Sequence, residues 1–148
     1  MTKDGWFLGF FDGEGCVMIV RRRRKGSFPW HYSPRITVTN TCKEAPELFL
    51  QEYGGRIGIL HRRENYRTRY TWMLSRRNDV ERVLRTWLPY LVVKKRPAEV
   101  ALELIEYKKT HPRASALGAS RGNPYSEEAR GKFEELYQEI HSLNGGRS

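Results

Sequence analysis

The stretch Gly5-Trp6-Phe7-Leu8-Gly9-Phe10-Phe11-Asp12-Gly13-Glu14-Gly15 constrains this chain more than any other. Residues Trp6 to Phe11 are almost wholly apolar, so a short helix over them is hydrophobic on every side and must be buried. Gly9 in its middle destabilises that helix by roughly 1 kcal/mol against alanine, which is usually tolerated where another backbone approaches closely. The chemistry then changes abruptly. Asp12-Gly13-Glu14-Gly15 puts two carboxylates at the helix end, where acid opposes the macrodipole. An apolar helix ending in an acidic, glycine-rich turn points to a divalent cation held by carboxylate and carbonyl oxygens.

The rest of the chain says what such a site would act on. Its 148 residues suffice for one compact domain, expected to span 1–148. The formal net charge is +10 and the sequence pI about 9.9, which calls for a polyanionic partner. Arginine outnumbers lysine, which suits bidentate contacts to phosphate and guanine. Cys16 and Cys42 make no disulfide framework, and His31, His61, His111 and His141 show no metal-ligand spacing. No signal peptide and no apolar run of membrane-spanning length is present, so a soluble intracellular protein is expected.

In order, the chain reads helix, two strands, helix, two strands, then helices. Cys16–Val20 is β-prone and leads into the basic run Arg21–Lys25, with a turn at Gly26-Ser27. The return strand covers about Trp30 to Asn40, and no acid occurs between Cys16 and Asn40. Its period of two turns Tyr32, Ile36 and Val38 one way and Ser33, Arg35, Thr37 and Thr39 the other. A helix from Glu44 to Tyr53, preceded by Thr41 or Cys42 and carrying Pro46 in its first turn, ends at Gly54-Gly55. A second basic hairpin follows. Ile57–Arg63 is its first strand, Glu64-Asn65 the turn, and Arg67–Ser75 the second strand, with Tyr70, Trp72 and Leu74 inward.

Together the hairpins can form one four-stranded antiparallel sheet with a positively charged, polar outer face, a shape that can enter a major groove. The candidate contact residues on the first hairpin are Met18, Val20, Arg22, Arg24, His31, Ser33, Arg35 and Thr37. On the second they are His61, Arg63, Arg67, Arg69, Thr71 and Met73. Beyond Ser75, Asn78 or Asp79 caps a helix to Trp87, and Lys94-Lys95-Arg96 opens another with Pro97 in its first turn. Cations there oppose the dipole and suggest an anionic partner. Residues 110–124 read as a loop, and Ser126 caps a last helix to Leu143.

The run Phe7–Gly15 resembles, position for position, the signature of the LAGLIDADG homing endonucleases, with aromatics where aliphatics are common. The resemblance implies an α+β fold of αββαββα order, its antiparallel sheet backed by helices and laid along double-stranded DNA. It implies that Glu14 is the metal ligand, that Gly13 offers its carbonyl, and that Asp12 is the more structural acid. Glu stands where the family more often has Asp, one methylene longer. Phe7, Leu8, Gly9, Phe10 and Asp12 would meet the same helix of a second copy. Asn40 matches a polar position that orders water near the metal, and Lys94 matches a lysine that reaches the scissile phosphate. The motif occurs once, so the resemblance implies a homodimer on a pseudo-palindromic site of roughly two helical turns. It would hydrolyse both strands across the minor groove with Mg2+, Mn2+ substituting, and leave short 3′ overhangs. Family members also include intron maturases and non-cutting regulators. These need the basic sheet but not the acid, so Glu14 and Lys94 favour the enzyme.

Overall fold

A computed structural model of the chain describes residues 3–23, 30–61, 67–111 and 125–145. The apolar opening stretch forms α1 (Lys3–Glu14), which runs directly into β1 (Gly15–Arg22). There follow β2 (His31–Asn40), α2 (Glu44–Tyr53), β3 (Arg56–Leu60), β4 (Arg69–Leu74) and α3 (Arg77–Trp87). A 3-10 turn (Leu88–Tyr90), α4 (Lys95–Thr110) and α5 (Glu127–Leu143) complete the order. The expected α+β arrangement of helix, two strands, helix, two strands and helices is the one observed. The turns expected at Gly26-Ser27 and Glu64-Asn65 lie outside the described residues.

The four strands form one antiparallel sheet in the order β1-β2-β4-β3, so β2 and β4 are central. In the register Val17 faces Ile36, Val38 faces Trp72, and Ile57 faces Trp72 from the other side. Pro34 sits where β2 is paired with β1 but not yet with β4, whose partners begin at Ile36; a proline is tolerated where only one neighbour needs hydrogen bonds. The helices cover one face. Phe7 and Phe11 of α1, Phe49 of α2, Trp87 of α3, Leu104 of α4 and Phe133 of α5 bury themselves against Val17, Ile36, Val38 and Trp72. Trp72 is fully buried, and its indole N–H donates to the Gly54 carbonyl at 2.7 Å, which fixes the end of α2 to β4. Gly55 has φ +90°, and a Cβ there would collide with the Met73 carbonyl, so Gly54-Gly55 ends the helix as the sequence indicated.

Three helix starts differ from, or refine, the sequence reading. Lys43 rather than Thr41 or Cys42 precedes α2, without a side-chain cap, because Asn40 Oδ1 accepts the Cys42 N–H at 2.8 Å and closes the turn itself. The residue before α3 is Arg76, not Asn78 or Asp79; its extended backbone lets its carbonyl accept from Val80 at 2.9 Å, so the helix starts earlier than expected. Ser126 caps α5 as expected, its hydroxyl accepting the Ala129 N–H at 3.1 Å. No helix among the described residues is long and apolar enough to cross a membrane.

Candidate nucleic-acid interface and acidic centre

The junction of α1 and β1 is a tight corner. A Cβ on Gly15 would lie 2.7 Å from the Phe11 carbonyl oxygen and 2.6 Å from Cε2 of its fully buried ring. Glycine therefore lets the strand leave at once, and Glu14 is left exposed at the helix end. Asp12 behaves differently. Its carboxylate accepts the Lys94 N–H at 2.9 Å and the Val92 N–H at 3.2 and 3.1 Å. Lys94 is the residue that caps α4, whose first turn contains no acid. Two electrostatic misfits thus meet: the acid at the end of α1 supplies the negative charge that the basic start of α4 lacks. Asp12 turns into its own chain here.

This contact fixes the backbone of Lys94 beside the start of β1. The Lys94 ammonium is close enough to Cys16 to act on its thiol: burial pushes the Cys16 pKa up, and the lysine charge opposes it. Asn40 ends β2 at the same end of the sheet, where Gly15 faces Val38. The described residues contain no group of three or more His, Cys, Asp and Glu side chains able to hold a metal. Glu14 therefore brings one carboxylate per chain, next to the free carbonyls that every helix leaves in its last turn. Those are hard oxygen donors in an accessible position, and they fit a divalent cation.

The exposed side of α1 is unusual for an apolar helix. A Cβ at Gly9 or Gly13 would meet nothing within 4 Å, and the spacing of four places Gly5, Gly9 and Gly13 along one side. Phe7 faces the core, whereas Leu8 and Phe10 are only partly buried. Tyr90, Val92 and Val93, at 69%, 80% and 64% exposure, continue this apolar surface past the Asp12 contact.

Among the described residues no helix packs across the opposite face of the sheet, although Tyr137 of α5 reaches its concavity beside Ile19 and Arg21. Met18, Val20, Arg22, Arg35, Thr37, Thr71 and Met73, all singled out in the sequence, line one concavity of about 530 Å³ together with Thr39. Thr39 and Thr71 are hydroxyl to hydroxyl at 2.8 Å across the central strand pair. His31 and Ser33 share the alternation of Arg35, opposite Arg22 and Val20. Arg69 is exposed opposite Leu60, and Arg67 is exposed two residues before β4. His61 is exposed one residue past the end of β3. Arg24 and Arg63 lie outside the described residues. None of the four strands contains Asp or Glu.

Arg56 was missed in the sequence, where the strand was expected to start at Ile57. It opens β3 opposite Met73, on the outer face. The double glycine before it held the available signal, since a strand can begin directly after such a stop. Arg35 is half-buried, and its Nε is buried with no hydrogen-bond partner. Burial, then the charges of Arg22 and Arg56, push its pKa below the usual arginine value. By contrast Arg21, next in the basic run, faces the helices. It pairs with Glu134 at 2.6 Å and lies 4.5 Å from the Trp30 ring centre and 4.4 Å from that of Tyr137. Tyr32 also donates its hydroxyl to Glu134. The run that looked uniform is split by strand alternation into a packing arginine and an outward one.

The fold is shared with solved homing endonucleases. I-TnaI aligns at a TM-score of 0.69 with 17% identity, covering 97% of this chain and 94% of that one. The archaeal intron-encoded I-Vdi141I, solved in complex with DNA, aligns at 0.63 with 18% identity over 96% of each chain. I-CvuI, solved with its DNA target in the presence of calcium, aligns at 0.62 with 18% identity, covering 90% and 94%. No curated protein sequence matches significantly. The sequence profile described as LAGLIDADG endonuclease matches residues 7–99, from inside α1 through the Asp12–Lys94 contact into α4. With more than half of its length matched, the chain belongs to the LAGLIDADG endonuclease family.

Proposed function

We propose that two copies of this chain form a homodimer that binds a long pseudo-palindromic site in double-stranded DNA and hydrolyses one phosphodiester on each strand. The observation that carries this reading is one juxtaposition. An exposed Glu14, and a Lys94 whose backbone is held by Asp12, lie at one end of an uncovered sheet face that is rich in arginine and free of acid. Glu14 and the Gly13 carbonyl would hold Mg2+, with Mn2+ as a substitute. A divalent cation bound there supplies Lewis-acid stabilisation of the phosphoryl oxygens.

The chain's own groups do the rest. The outer sheet face enters the major groove and orients the duplex. Lys94 offsets negative charge that develops on the phosphoryl group in the transition state. Asn40 would order water near the cation through its amide N–H2, while its oxygen accepts from the Cys42 N–H. One carboxylate per chain suits a shared centre between two copies, and the open glycine side of α1 supports their close approach there.

The test is cleavage of a plasmid carrying the native insertion region with magnesium, beside a gel shift in calcium. Glu14→Gln should abolish cutting while specific binding persists. Lys94→Met should slow cutting with less effect on binding, because it acts on the transition state. Cleavage by Glu14→Gln at the wild-type rate would refute the metal assignment. A wild type that binds its site tightly but never cuts, with magnesium or manganese, would place the chain with the maturases or regulators.

A further inference from the structure

We propose that Arg35 reads a guanine at one fixed position of the DNA covered by the sheet, while Arg22 and Arg56 hold phosphates on either side. This rests on the DNA-binding reading above and sharpens it to a base and three residues. The placement of the three arginines separates their roles. Arg35 lies in β2, a central strand, opposite Met18. Arg22 ends β1 and Arg56 opens β3, and these are the two edge strands of the sheet. In a major groove the base edges form the floor and the phosphates the walls. The middle of an inserted sheet therefore meets bases, and its edges meet phosphates.

The state of Arg35 fits the floor position. Its Nε has left water without gaining a partner, so part of the desolvation that base contact requires has occurred before DNA arrives. Arg22 and Arg56 are exposed and hydrated, as phosphate-binding groups at a rim would be. The three like charges also act on one another, and the described structure offers no acid on this face to relieve them. A guanidinium offers donors only. Of the four major-groove edges, guanine alone presents two adjacent acceptors, O6 and N7. Adenine and cytosine each direct an amino group at such a probe, and thymine offers a single acceptor beside a methyl group.

The experiment selects sequences from a randomised duplex library in calcium, using full-length chain carrying Glu14→Gln so that nothing is cut. Three further variants are each made in that background: Arg35→Met, which keeps an unbranched apolar stem, Arg22→Ala and Arg56→Ala. The selected motif should hold a guanine at one position, favoured roughly 5- to 150-fold over other bases. In Arg35→Met that single position should become degenerate while the rest of the motif stays. Arg22→Ala and Arg56→Ala should keep every preferred base, bind more weakly, and each lower the slope of log affinity against log salt by about one. Retention of the rest of the motif by Arg35→Met also demonstrates that it is folded.

An unchanged motif in Arg35→Met would overturn the assignment, as would loss of preference for a base other than guanine. So would loss of base preference in Arg22→Ala or Arg56→Ala. These results would leave DNA recognition itself intact. A parent protein that enriches no duplex sequence would instead overturn the DNA-binding reading, and this inference with it.

Discussion

Replacing Asp12 tests whether the meeting of α1 and α4 holds the molecule together. The Lys94 N–H is part-buried and donates to the carboxylate at 2.9 Å. A hydrogen bond to a charged acceptor in such a place stabilises by about 1.5–3 kcal/mol. The Val92 N–H is exposed, so water can replace the carboxylate there, and its share is about 0.5 kcal/mol. The charge gains about 0.3–1 kcal/mol from the macrodipole at the start of α4 and loses a similar amount at the end of α1, so the two offset each other. Asp12→Ala should therefore lower stability by about 3 kcal/mol, from the sum of these contributions. Asp12→Asn keeps an oxygen for Lys94 but loses the charge, so about 1–1.5 kcal/mol is expected. Both are read from urea unfolding at neutral pH and one fixed protein concentration, because association of copies shifts the apparent stability. Glu14→Gln serves as the control; its exposed carboxylate should change stability by less than about 0.5 kcal/mol. If Asp12→Ala unfolds at the wild-type urea midpoint, the carboxylate does not hold α4, and the account of the two misfits is wrong.

Gly9→Val should leave the isolated chain as stable as before, since nothing lies within 4 Å of the added Cβ, yet it should abolish association. Sedimentation velocity checks this, and a variant that stays dimeric would move the interface elsewhere. Gly15→Ala should do the reverse, destabilising the fold by about 2–4 kcal/mol because its methyl meets the buried Phe11 ring and carbonyl; a wild-type melting temperature would contradict the tight corner. Burial disfavours the Glu134 carboxylate, but hydrogen bonds from Tyr32, Gln138 and Arg21 outweigh it and hold its pKa below the ordinary 4.5. Its contribution is then complete above pH 4.5 and disappears as pH falls through the lower folded value. Glu134→Gln should accordingly be less stable than wild type at pH 7, with the difference closing in acid. A difference that stays constant down to pH 3 in urea titrations would refute the assignment.

What was legible in the sequence was local. The alternation of Arg35, Thr37 and Thr39 against Ile36 and Val38 fixes which side of β2 is open, because period two is a property of neighbouring residues. Gly54-Gly55 announces the end of α2 for the same reason. The partner of Asp12 was not legible, since Lys94 lies 82 residues later. Each helix end carried the wrong sign of charge, and the sequence reading took these as two separate hints of a ligand. The structure shows that part of the answer is internal, and leaves Glu14 as the acid turned outward. Arg21 and Arg22 were likewise equal on the page until Glu134, 113 residues away, claimed one of them.

β1 has a further consequence through its length. It runs eight residues, from Gly15 beside Glu14 to Arg22. A strand advances about 3.3 Å per residue and a duplex about 3.4 Å per base pair, so β1 laid along a groove spans roughly 26 Å, or about eight base pairs. Position along the strand then counts base pairs from the Glu14 corner, almost one for one. Only alternate residues face the duplex, here Cys16, Met18, Val20 and Arg22. Inserting one residue would turn every later side chain to the wrong face; inserting two would preserve the face and displace the later contacts outward by two base pairs. Recognition sites built on such a strand should lengthen in even steps.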